Sequence, residues 1–152
     1  MSAEQRLAEL GLTLPAPATP AGLYAPCVQT GSLLFVSGQI PTRDGQVLRH
    51  GRCGETVSVD EAALVARACA VNGLAIVRGH LGTLDRVARV VRVGGYVASA
   101  PGFVDHPKVV NGASQLLIDV FGEAGRHARV AIGVAELPLG VPVEVEFLFE
   151  VG

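Results

Sequence analysis

The most constraining pattern in this chain is its last strand-like run. Between Val143 and Val151, the apolar residues Val143, Val145, Phe147, Phe149 and Val151 alternate with Glu144, Glu146, Leu148 and Glu150. Successive side chains on an extended strand point to opposite faces, so a strict period of two commits one face to a core and turns the other away from it. The apolar face needs a cover, and two segments can supply one. Val65, Cys69 and Ile76, with Leu64, Ala68, Val71 and Ala75 beside them, recur at helical spacing. They follow Ser58-Val59-Asp60-Glu61, whose S-x-x-E spacing is that of a capping box. The spacing predicts a helix to about Val77, ended by Gly79 and Gly82. Val109, Ala113, Leu116, Leu117, Val120 and Phe121 form a second stripe. Asp105 is placed to cap that helix, Pro107 fits its first turn, and Gly122 and Gly125 stop it.

The remaining segments read as strands and turns. Tyr24–Gln29 and Leu33–Ser37 flank Thr30-Gly31-Ser32, a hairpin signal, and Arg43-Asp44-Gly45 is a second turn. Val87–Ser99 is Val-rich with Gly94-Gly95 inside, which predicts a bulge or a close backbone approach. Ala128–Glu136 precedes the final strand. The order strand-strand-turn-helix-strand-helix-strand-strand predicts an α+β fold, a mixed β-sheet with two helices packed on one face. Ser2–Leu12 reads as a short amphipathic helix, and Pro15–Pro20 follows it. Residues 1–20 are therefore an extension laid onto a domain spanning 21–152.

Composition narrows function. At 152 residues and 49% hydrophobic content, the chain suits one core. Net charge is -2, with one Lys and no Trp, so neither a basic field nor a base-stacking platform is available for nucleic acid. Strand alternation would put Arg89 and Arg92 on opposite faces, which weakens even a local basic patch. Cys27, Cys53 and Cys69 are too scattered for a disulfide framework or metal knuckle, and reduced thiols fit a cytoplasmic protein. The opening MSAEQRLAELGLTL carries acids where a signal peptide needs a basic region, and no run of about 18 apolar residues is expected to span a membrane. Nucleotide-loop, H-E-x-x-H and C-x-x-C patterns are absent, and the four His are far apart in sequence, so a metal cluster built from them has no support in the spacing.

Arg129 is the residue that asks for an explanation. It lies within the apolar run His127-Ala128-Arg129-Val130-Ala131-Ile132-Gly133-Val134. A guanidinium there must be paired, reach solvent, or line a cavity where it can hold a carboxylate bidentately. Glu144 and Glu146 are candidate partners; alternatively the glutamates are the solvated face of an edge strand. His127 would share the face of Arg129.

Leu34-Phe35-Val36-Ser37-Gly38-Gln39-Ile40-Pro41, Ala128-Arg129, Leu137-Pro138 and Val143-Glu144-Val145-Glu146 together resemble the reactive-intermediate deaminase family (RidA, or YjgF-like), also known under an L-PSP endoribonuclease label. The resemblance runs from about Ala21 to Val151, within a longer branch that has an N-terminal extension. It implies a chorismate-mutase-like α+β homotrimer with sites between subunits. It also implies Arg129 as the substrate-carboxylate anchor and Glu144 as the group that positions the attacking water. Tyr24, Ser37, Gly38 and Asn111 would line the substrate site, with backbone groups around Ala131. Members commonly read A-R-S-C where this chain reads Ala128-Arg129-Val130-Ala131.

The implied reaction is hydrolytic deamination of small 2-imino acids to 2-keto acids and ammonia, with no metal or cofactor. Positioning of one water against the imine carbon would supply much of the rate. Two alternatives share the pocket: a trimer that binds metabolite carboxylates without turnover, and a hydrolase of another small amide or enamine.

Overall fold

A computed structural model describes all residues from Met1 to Gly152. The alternating run becomes β7 (Val143–Val151), and it occupies the middle of a five-stranded sheet instead of an edge. The strands lie in the order β1 (Cys27–Thr30), β2 (Leu33–Gln39), β7, β5 (Val87–Ala98), β6 (Ala128–Val134). All neighbours are antiparallel except β5 and β6, which makes the sheet mixed and leaves β6 at one edge. A small hairpin, β3 (Thr42–Arg43) and β4 (Gln46–Val47), stands apart from it. Val143, Val145, Phe147, Phe149 and Val151 of β7 are all buried, whereas Leu148 shares the other face with the glutamates. Helices α2 (Val59–Leu81) and α3 (His106–Phe121) cover the buried face from one side. The glutamates of β7 face the helix-free side, partly exposed although their strand is central.

Local chemistry explains the helix ends. Ser58 accepts a bond from the Glu61 amide while Glu61 accepts from the Ser58 amide, closing the capping box. The helix continues past Val77 and Gly79 because Leu81 is buried beyond them, and Gly82 then caps it in the left-handed conformation. Asp105 does occupy the cap position of α3, yet its side chain makes no cap bond and lies 3.5 Å from Lys108 instead. The α3 stripe is buried as predicted, whereas Leu64 of α2 is 69% exposed. Length and composition would let α2 cross a membrane, but 67% of its apolar window is buried inside the fold.

Gly94 and Gly95 mark a close approach and not a bulge, since their register with both neighbours is unbroken. A Cβ on Gly95 would strike Val110 of α3, so the glycine lets the helix lie on the sheet. The irregularities of β5 fall earlier, between Val87 and Arg89 and between Val90 and Arg92. They reset the alternation and leave both arginines exposed, Arg89 opposite Glu150 and Arg92 opposite Leu148. Arg89 and Arg92 therefore share the helix-free face, where Arg92 lies 3.6 Å from Glu146.

Residues before the sheet are tied to the same core. In α1 (Ala3–Glu9), Leu7 is buried, as is Leu14 beyond it. Glu4 accepts from the Leu84 amide at 2.9 Å and pairs with Arg78 at 3.2 Å.

Where α3 crosses α2, Gly112 faces the backbone of Ala63 so closely that an added Cβ would collide with its carbonyl oxygen. Backbone cannot rotate away as a side chain can. Gly112→Ala should therefore cost about 1–3 kcal/mol despite its better helix propensity, read as a lowered urea midpoint.

Candidate functional site

Arg129 leaves β6 on the helix side of the sheet, because its row runs through Val93 of β5 to the buried Phe147 of β7. There α3 meets it with neutral acceptors only. Nη1 donates to Asn111 Oδ1 at 2.7 Å and to Ser114 Oγ at 3.2 Å, and Nη2 donates to the Pro107 carbonyl at 3.3 Å. No carboxylate lies within ion-pair distance of the guanidinium, so Glu144 and Glu146 are not its partners in this chain. Three of five N–H donors are used, which leaves two on neighbouring nitrogens for an external carboxylate. Burial lowers the pKa of Arg129 from its ordinary value, and a guanidinium remains the charged form in proteins.

A relay behind the guanidinium holds this arrangement. His127 Nδ1 lies 2.7 Å from the Gly125 carbonyl, which requires that nitrogen to carry the proton. Its Nε2 then accepts from Ser114 Oγ at 2.8 Å, and the Ser114 oxygen accepts from Arg129. Burial, helped by the Arg129 charge and opposed by the Gly125 hydrogen bond, lowers the His127 pKa and so favours the neutral ring. His127 does share the face of Arg129, as the alternation predicted. With Ser114, Ile118 and Arg126 these two line a hollow of about 210 Å³. Ser114 was not foreseen. Its signal was Asn111 and Ser114 three apart on a helix whose neighbouring positions are apolar.

The other nominated residues collect elsewhere. A bulge between Val36 and Gln39 breaks the β2–β7 register, and Gly38 sits in it. A Cβ on Gly38 would collide with a carboxylate oxygen of Glu144, so this glycine makes room for that side chain. Ser37 donates its hydroxyl to the Ala25 carbonyl at 2.7 Å, tethering the segment that carries Tyr24. Tyr24, Gly38 and Glu144 line one cleft of about 660 Å³, together with residues 15, 16 and 18–21, the β3–β4 hairpin and α2. Ala131 is half-buried against the core beside Arg129 and presents only a methyl group.

Glu144 and Glu146, alike in sequence, are unlike in place. Tyr96 donates its hydroxyl to Glu146 at 2.6 Å, and Arg92 pairs with the same oxygen. Glu144 has no hydrogen-bonding or ionic partner in the chain. Burial, then the nearby Glu146 charge, raise its pKa from 4.5. It is an unpartnered carboxylate at a cleft, suited to taking a proton.

Arg129 and Glu144 are not brought together within one chain. They point to opposite faces, two strands apart, or about 10 Å sideways, with three residues, about another 10 Å, along the strand.

Comparison with known proteins places this geometry. The family model described as "YjgF/chorismate_mutase-like, putative endoribonuclease" matches residues 4–151. The chain is 47% identical over 145 residues to Protein TCP17 of Trypanosoma cruzi, covering 95% of this chain and 91% of that one. The crystal structure of Atu1372 from Agrobacterium tumefaciens, a protein of unknown function, superposes with a TM-score of 0.91 at 45% identity over 99% of this chain and 92% of that one. A structure from Shewanella oneidensis described as a "putative endoribonuclease" gives 0.96 at 34% identity, over 99% and 100%.

A carboxylate whose folded pKa is raised adds stability only below its unfolded value and forfeits it as pH rises through the folded value. Ionised Glu144 therefore destabilises the fold at neutral pH. Glu144→Gln should raise the melting temperature at pH 7, and the gain should vanish below about pH 4, checked by thermal melts across that range.

Proposed function

Because the chain belongs to the YjgF/chorismate-mutase-like family, we propose that it is a homotrimeric hydrolase that deaminates 2-imino acids to 2-keto acids in the cytoplasm. The observation that carries the reading is the Arg129 guanidinium, held by neutral acceptors with two donors left over for a carboxylate. Escherichia coli TdcF, solved with bound serine, shares the fold at 22% identity; the ligand class proposed here rests on Arg129.

The site is shared between subunits. Arg129 and Glu144 face away from each other in one chain, so a centre that uses both needs a second copy. The helix-free face of the sheet favours such an assembly: Val28 is 57%, Phe35 47% and Ile132 44% exposed there. Apolar surface of this kind is a common mark of an interface. Arg129 of one copy would hold the substrate carboxylate, and Glu144 of the next would face the imine carbon.

The reaction follows from that placement. A 2-imino acid, R–C(=NH)–COO⁻, takes one water and releases R–CO–COO⁻ and ammonia. The water oxygen bonds to the imine carbon while Glu144 accepts a water proton. The same carboxyl passes that proton to nitrogen, giving the carbinolamine R–C(OH)(NH2)–COO⁻. It then takes the hydroxyl proton and delivers it to the amine, and the C–N bond breaks with loss of NH3 as the carbonyl forms. Arg129 fixes the carboxylate so that the carbon is presented to that water. Asn111, Ser114 and His127 act through Arg129 as positioning residues.

The methyl group of Ala131, which offers no reactive atom beside Arg129, favours a second reading in which the trimer binds carboxylates without turnover. Thermal stabilisation by 2-keto acids with no acceleration of imine hydrolysis would select it.

With 2-iminopropanoate generated in the assay, the protein should speed ammonia release. Arg129→Ala should lower kcat/KM about 100-fold or more, and Arg129→Lys, which keeps the charge without the fork, should fall between. Absence of acceleration by the unaltered protein overturns the deaminase reading. Phe35→Asp should convert a trimer to monomers in sedimentation and abolish activity, since the monomer holds only separate halves of the site.

A further inference from the structure

The cleft beside Glu144 is far larger than a three-carbon substrate requires. Its volume is about 660 Å³, within the range of about 300–1,000 Å³ typical of sites for drug-sized ligands. The six heavy atoms of 2-iminopropanoate would fill roughly 180 Å³ at about 30 Å³ each, the share of a water molecule.

Part of its wall is apolar, while Arg43 and Asp44 of the β3–β4 hairpin also border it. Ile76 and Ile40 lie toward α2, Pro15 and Pro20 come from the amino-terminal segment, and Tyr24 and Leu139 flank Glu144. Asn72 also borders it, but its amide nitrogen is already committed to the Ile40 and Thr42 carbonyls at 3.1 and 3.0 Å. The amino-terminal wall is held in shape. Leu14 is anchored in the core, and prolines at 15, 17 and 20 restrict the backbone that follows. Pro17 lies over Gly79 of α2 so closely that a Cβ there would come within 2.9 Å. A side chain at position 79 would lift the strap and open the cleft.

We infer that this strap-walled cleft receives a large apolar substrate side chain, so that the preferred substrates are 2-imino acids bearing branched or aromatic groups. The inference rests on the deaminase reading and adds the class of R group. With the carboxylate held by Arg129 of a neighbouring copy and the imine carbon at Glu144, R extends toward Ile40 and Ile76 on the apolar part of the wall. The extension then acts as a specificity element and not as an appendage.

The test compares 2-iminopropanoate with 2-imino-4-methylpentanoate and 2-imino-3-phenylpropanoate, each generated in the assay, on the unaltered full chain and on Ala18→Trp. Ala18 is exposed on the strap and lines the cleft, so added bulk fills the cavity without entering the core. The bulky imines should be preferred about tenfold or more in kcat/KM, since each methylene in a fitted apolar pocket gives a discrimination of about 10- to 200-fold. Ala18→Trp should lower that ratio about tenfold. Affinities for the products should agree, with phenylpyruvate binding the unaltered protein more tightly than pyruvate, a readout that needs no variant to fold. Equal or faster turnover of 2-iminopropanoate, with products bound equally, overturns the inference and leaves the deaminase reading standing. Failure to turn over any of the three imines overturns the deaminase reading, and the inference with it.

Discussion

Everything in this molecule depends on the two unlike faces of β7. One face buries Val143, Val145, Phe147, Phe149 and Val151 under two helices and is the largest contribution to the core from any strand. Each such side chain is worth on the order of 1.5–3 kcal/mol when fully buried. The other face carries Glu144, Glu146 and Glu150 in the middle of a sheet. Glu146 is satisfied by Tyr96 and Arg92. Glu144 is left with a raised pKa and no partner, a cost that a purely structural strand has no reason to carry.

Arg129 is arranged by the opposite logic. Neutral acceptors fix the guanidinium without neutralising it: an amide oxygen, a hydroxyl and a carbonyl. An aspartate or glutamate in the same place would hold it more strongly and would also compete with an anionic ligand. The neutral His127 behind Ser114 serves this end, since a charged imidazolium there would repel the guanidinium. Glu144 and Arg129, neither of them ion-paired, thus lie on opposite faces of the sheet, and a site that uses both requires a second copy.

The elements were legible because each had a local cause. The capping box at Ser58, the period of two after Val143 and the α3 stripe are readable from neighbouring residues alone, and each appears where its pattern put it. Misreadings share a different cause. Strand alternation put Arg89 and Arg92 on opposite faces, but the bulges of β5 reverse that, and an extra residue leaves no trace in a pattern of mixed Val and Arg. Glu144 and Glu146 looked equally fit to pair with Arg129. The strand lying between β6 and β7 excludes both, and strand order is a long-range property. Gly94 and Gly95 declared a special position without saying whether a bulge or a helix caused it; Val110 supplies the answer.

The sequence by itself determined the α+β class, the core-facing positions, the likeness that singled out Arg129 and Glu144, and the absence of familiar cofactor patterns. Those properties follow from residue type and short spacing, where a few neighbours decide the energy. Only the tertiary structure decided that Arg129 leans on Asn111 and Ser114, that Gly38 makes room for Glu144, and that Pro17 packs over Gly79. Such contacts join residues far apart along the chain, and their geometry depends on how layers of helix and sheet settle against one another.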